Sequence, residues 1–296
     1  QARIFHTSKV KRFGLGQLVK DLPSLFGPLK LLSSAAAMLS LLGCFGAALE
    51  TASQAPCQSE APVTTAFTLT GRVRYGYVPT QTGPTRLNFA AISQRVARRI
   101  VVEAQDNCGR AVAQAVTDDS GNYSLSVPGN AVKVVPTSRL SESSASGTGF
   151  CQGASWDVRI VDNTGGKAVW SYTTGTVYSA ATTGINIDVP LAHNGTRYTD
   201  RSAAPFALAD TVVSAMERVC QAVPSTVFPA LLVNWSPKNV AVSPYSACGK
   251  AEGCIITSHF TVEGWNGVNY PQLYILGKED ADTDEYDDHV VAHEYG

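Results

Sequence analysis

The sequence has almost no net charge: 23 Lys and Arg stand against 24 Asp and Glu, a formal charge of -1. Such a balance supplies no general electrostatic pull toward nucleic acid or an anionic surface, so nucleic-acid binding is disfavoured. Charge of either sign is scarce, at 16% of residues, while 44% are hydrophobic. The chain is therefore no disordered acidic or basic tail, and two compact units are expected. Seven Cys are scattered without a Cys-x-x-Cys pair, which argues against a zinc ribbon. With the low charge and the many Ser, Thr, Gly and Ala residues, this favours an exported protein in an oxidising compartment.

No Met begins the chain, which opens on Gln1 and stops at Gly296 inside a helical pattern; both ends read as cuts and the chain as a fragment. Six basic residues (Arg3, Lys9, Lys11, Arg12, Lys20, Lys30) against Asp21 precede an uncharged run from Leu31 to Leu49, the pattern of a signal over residues 1–49. A run of 19 residues is also close to the roughly 20 needed to span a bilayer as an uncut anchor. The small residues and the polar, Pro-containing stretch that follows favour cleavage. LLGC, ending at Cys44, resembles the lipobox of bacterial lipoproteins, which implies a lipid on that Cys and localisation in the cell envelope or outside the cell. Without Cys44 six Cys remain, enough for three disulfides, and only Cys248 and Cys254 are close enough to suggest a local bridge.

Residues 50–63 are polar and Pro-containing and read as a linker. From Phe67 the apolar residues alternate: FTLTGRVRYGY is followed at short intervals by RIVVEAQ, AVAQAVT, YSLSV and AVKVV, split by the turns DNCG, DDSGN and PGN. Period-two runs with such turns predict an all-β sandwich or barrel. RIVVEAQ with TDDSGNYSLSVPGN resembles the carboxypeptidase-regulatory-like family, which implies a small transthyretin-like sandwich over residues 64–140 with no chemistry of its own. Residues 141–200 form a β-rich extension or linker, with a hairpin turning at Asn163 to Gly166 and a strand at INIDVP.

From Ser202 the period changes to 3.6, with Phe206, Ala209, Val213, Met216 and Cys220 on one face. Ser202 is the expected cap, Pro205 falls in the first turn, and Pro224 ends the helix. Met216 is expected in the core. FPALLVNW, CIITSHFTVEGW and PQLYILG are β-like, the last two joined by a GWNG turn, so residues 201–296 read as a separate α+β unit.

The last stretch concentrates acid: seven of the ten residues from Glu279 to Asp288 are Asp or Glu, and a helix begins near Asp287. Capping explains much of it, with Asp284 as the expected N-cap and Asp287 three residues on. Calcium binding through Asp280, Asp282 and Asp284 is the rival reading. It is weakened because Glu285 stands where an EF-hand loop needs Gly and Val291 where it needs Glu.

The chain ends on His293-Glu294-Tyr295-Gly296 after an apolar VVA. In H-E-x-x-H two imidazoles one helical turn apart reach one zinc while the Glu acts on the metal-bound water. This segment resembles the active-site helix of zincin-type peptidases, with the second His and the third ligand not seen in the chain. The resemblance implies a multi-domain protein, an all-β sandwich followed by the N-terminal part of an α+β zincin-like domain, with zinc as cofactor, His293 as a metal ligand, Glu294 as the catalytic base and a peptide or protein as substrate. Contact with the membrane is expected only through the signal or lipid anchor, and with one ligand and the base alone the fragment is expected to be inactive. His289 forms an i, i+4 pair with His293, but Val290 stands where the Glu would be, so His289 reads as a helix-surface residue or a support to the site. His259 reads as a half-buried structural residue, and His6 and His193 carry no motif. The competing function is a cell-surface binding or adhesion lipoprotein in which the His-Glu pair is accidental.

Overall fold

The computed structural model describes residues 65–81, 86–142, 151, 155–224 and 226–296. The expected signal, lipobox and linker all lie outside the described residues, as does His6. Among the described residues no helix is long and apolar enough to cross a membrane.

The alternating segments form strands. They are β1 (Phe67–Tyr77), β2 (Ser93–Val96), β3 (Ile100–Gln105), β4 (Ala111–Val116), β5 (Asn122–Val127) and β6 (Val132–Glu142). β7 (Trp156–Asp162), β8 (Thr182–Val189), β9 (Leu231–Trp235), β10 (His259–Trp265) and β11 (Val268–Ile275) follow. The turns behave as their residues dictate. Asp106 Oδ1 accepts the backbone N–H groups of Cys108 and Arg110, and Asp118 Oδ1 those of Ser120 and Asn122. Between β10 and β11, Asn266 and Gly267 both take positive φ (49° and 78°), as a two-residue hairpin turn requires.

A four-stranded sheet is centred on β1. One side pairs parallel with β8 (Val73↔Ile187), and the other is shared by β5 along the first half and β2 along the second. Gly71 permits the close approach to β8, since a Cβ there would lie 1.9 Å from the Ile185 carbonyl oxygen. The second sheet has nine strands in the order β10-β11-β9-β7-β6-β3-β4, with two-residue strands Ala168–Val169 beside β7 and Val177–Tyr178 beside β6.

This arrangement crosses the boundaries expected at 140 and 200. β8, from the 141–200 segment, completes the small sheet, and β9, from the 201–296 segment, pairs parallel with β7 (Leu231↔Val158). The described residues fall in one compact unit, and its main apolar core draws on residues from Leu69 to Val291, with a small second cluster of Ile255, Tyr274 and Leu276. Two separate units were the expectation; the physical reason for one is that β7 and β9 have neighbours on both sides. All five residues of β9 are buried, so it serves as a central strand.

The 3.6-period segment is α1 (Ala204–Ala222), and Phe206, Ala209, Val213, Met216 and Cys220 are all buried. It packs on β7, β6 and β1, and the Cys151–Cys220 disulfide ties it down. Its cap differs from expectation. Ala203 is the N-cap, without a side-chain bond, and the N–H of Ser202 donates to Asp200 Oδ1 at 2.9 Å. The helix stops as Val223 turns extended before Pro224. Cys248 and Cys254 form the expected local disulfide.

Candidate functional site

The acidic run ends in α2 (Asp288–Tyr295), which buries only Val291 and packs against α1, β10 and β11. Asp287, not Asp284, is the N-cap: its Oδ1 accepts from the N–H groups of His289 and Val290 at 3.0 and 3.2 Å. Asp284 lies a turn earlier, its carbonyl accepting the Asp287 N–H and its carboxylate the Ser258 hydroxyl at 2.5 Å. Burial holds the Asp284 carboxyl above its usual value, against the Ser258 hydrogen bond, and the negative charges of Asp282, Asp287 and Glu294 add to the rise. Next to it, Glu285 is fully buried and paired with Arg201, which stands just ahead of α1 and also donates to the Gly277 carbonyl at 2.7 Å. Burial raises the Glu285 carboxyl, and the Arg201 guanidinium opposes that rise.

His293 is exposed in the last turn of α2, and its imidazole has no hydrogen bond or ion pair among the described residues. Glu294 is half-buried, and its Oε2 accepts the backbone N–H of Phe260 on β10 at 3.1 Å. β10 is the terminal strand of the nine-stranded sheet. The two residues of the His-Glu pair thus differ in setting: the imidazole is free, and the carboxylate leans on a sheet edge. Beside them an apolar groove of about 350 Å³ is lined by Phe228, Leu231, Phe260, Leu273 and Tyr295.

The remaining histidines take no part in this arrangement. His259 stacks on the Tyr274 ring (centroids 5.3 Å apart) with Nδ1 2.6 Å from the Thr257 carbonyl oxygen, the structural role expected of it. His193 stacks on Phe89 and accepts the Gly195 N–H. His289 is exposed one turn ahead of His293.

Among the described residues no group of three or more His, Cys, Asp or Glu side chains is placed to hold a metal ion. Asp280 lies 3.7 Å from Lys278 and Asp284 is engaged by Ser258, so the Asp280, Asp282 and Asp284 trio does not assemble a calcium cage. For zinc, the free imidazole of His293 suits one ligand position, and the described residues do not supply the other donors of a catalytic site. Sequence reasoning missed Phe260 as the partner of Glu294 and Arg201 as the partner of Glu285. These pairs are separated by 34 and 84 positions, and nothing local to either residue signals them.

Comparison of the chain with protein-family models, with curated proteins and with solved structures returns no match.

Proposed function

We propose that this chain belongs to an exported zinc-dependent metallopeptidase, with His293 as one metal ligand and Glu294 as the base that takes a proton from the attacking water. One observation carries the reading: α2 presents an unengaged imidazole at the surface and sets the neighbouring carboxylate 3.1 Å from the backbone of an edge strand. Because the Phe260 N–H points away from β11 to Glu294, the backbone groups of Val262 and Gly264, two and four residues on, share that outward side. An extended peptide pairing along this edge would run past Glu294. The pairing strand would compete for the Phe260 N–H and free the carboxylate to act.

Zinc, when bound, lowers the pKa of its water and polarises the scissile carbonyl. Glu294 would accept the water proton and deliver it to the leaving amine. The reading requires two further donors, the first of them an imidazole in the position after Gly296. Export is supported by the disulfides, since Cys108, Cys151, Cys220, Cys248 and Cys254 are all bonded.

Residues 1–296 alone should cleave no peptide. A longer form carrying the complete motif should show cleavage that a chelator abolishes. In that form Glu294→Gln should retain zinc and lose cleavage by about 100-fold or more, the range for removing a general base. Full cleavage by the Glu294→Gln variant, or a residue other than His after Gly296, overturns the reading.

A further inference from the structure

An eight-residue helix that buries one side chain cannot hold its own orientation in water, where isolated helices shorter than about 12 residues are marginal. What orients α2 is Asp288, in its first turn. Asp288 Oδ2 accepts the Tyr77 hydroxyl at 2.9 Å, and Oδ1 lies 2.8 Å from the Thr211 hydroxyl, whose single proton is shared with the Ala207 carbonyl 3.1 Å away. Tyr77 ends β1, the central strand of the small sheet, and Thr211 is buried on α1. The Tyr77 ring is itself fixed. The Arg95 guanidinium lies 3.2 Å from its centroid and 3.7 Å from Asp288, and the Tyr286 ring meets it edge-on at 6.0 Å. Burial, with the charge of Asp288, pushes the Tyr77 hydroxyl up to about 12, so it remains a donor across the working pH range.

Each oxygen of one carboxylate therefore has its own donor, one from the sandwich and one from α1. Two such bonds fix both the tilt of α2 and its rotation about its axis. Glu294 lies six residues further on, roughly 9 Å along the helix at 1.5 Å per residue. A tilt of ten degrees or so at Asp288 would then move the base by more than about 1 Å, an error that can cost about 100-fold in rate.

We propose that Tyr77 and Thr211 are positioning residues for Glu294: through Asp288, the sandwich strand β1 and helix α1 set the angle at which the catalytic base meets its substrate. The inference rests on the peptidase reading for its catalytic consequence. It gives the small sheet a part in the reaction.

The test uses the longer, zinc-binding form and three isosteric variants: Tyr77→Phe, Thr211→Val and, as control, Tyr123→Phe. Tyr123, on β5 of the same sheet, donates to the Ile185 carbonyl at 2.9 Å, a bond that involves neither Asp288 nor Arg95. Tyr77→Phe and Thr211→Val should each lower kcat about 10-fold with KM nearly unchanged, and should speed hydrogen exchange at the α2 amides from Val291 to Tyr295 about 5- to 10-fold, the change expected for one lost hydrogen bond. Tyr123→Phe should lower the melting temperature comparably and leave kcat and α2 exchange as they were. An equal kcat loss in Tyr123→Phe, or unaltered α2 exchange in Tyr77→Phe, overturns the proposal. Absence of chelator-sensitive cleavage in the unmutated protein would remove the peptidase reading and the catalytic half of the inference, while the exchange measurement still decides whether β1 and α1 orient α2.

Discussion

The two helices are secured by different forces. α1 has 19 residues, buries eleven of them against β1, β6 and β7, and is covalently tied through Cys220. α2 has eight residues, buries Val291 alone, and is secured at its N-terminal end by the Asp287 cap and by side chains reaching Asp288 and Glu285 from distant elements. Apolar burial is strong and tolerant of small shifts, whereas hydrogen bonds are weak and geometrically selective. α1 thus serves as a scaffold, and α2 is aimed by it. The difference suits a functional reading in which orientation at His293 and Glu294 matters more than stability there.

The contrast can be tested by mutation, starting where the effect is greatest. Phe206→Ala, in the buried face of α1, should destabilise the whole unit by about 3–5 kcal/mol through lost burial and a residual cavity. Urea unfolding followed by fluorescence measures this, and a loss below about 1 kcal/mol would mean that α1 is not held by its apolar face.

Glu285→Gln comes next, at about 3 kcal/mol, because it strands the Arg201 charge in an apolar setting without its counterion. Replacing both members by Met should recover most of that loss. If the single and double variants unfold at the same urea concentration, the pair is not what secures the approach to α2.

The smallest effect belongs to Asp287→Ala, which removes the cap and should cost about 1 kcal/mol. The loss should appear as faster exchange of the first amides of α2, with the global unfolding midpoint almost unmoved. A large drop in that midpoint would show α2 to be as integral to the core as α1, which would end the distinction.

Much of this was legible from local patterns. Alternation marked β1, β3, β5 and β8; the 3.6 period marked α1 with its buried face; and the Asn266-Gly267 pair marked the hairpin turn between β10 and β11. Each follows from chemistry within a few residues. The caps were less legible. Several acids and hydroxyls compete near each helix start, so Asp287 took the place expected of Asp284, and Ala203 that expected of Ser202. The choice depends on where the preceding chain is anchored. Ser258 engages Asp284 across 26 positions, and Asp200 holds the backbone ahead of α1.

The order of neighbours in the sheets belongs to the tertiary structure. No turn residue joins β1 to β8 or β7 to β9; their parallel pairing follows from which apolar faces and free edges remain once the hairpins have formed. The same holds for Phe260 with Glu294 and for Tyr77 with Asp288. The sequence by itself determined which residues alternate, which turn, and that a His-Glu pair ends on a helix, because those properties arise between near neighbours along the chain. Only the folded arrangement decided that the carboxylate rests on a sheet edge and that a strand more than two hundred residues away steers it, because hydrogen bonds across such separations exist only after the core has brought their partners together.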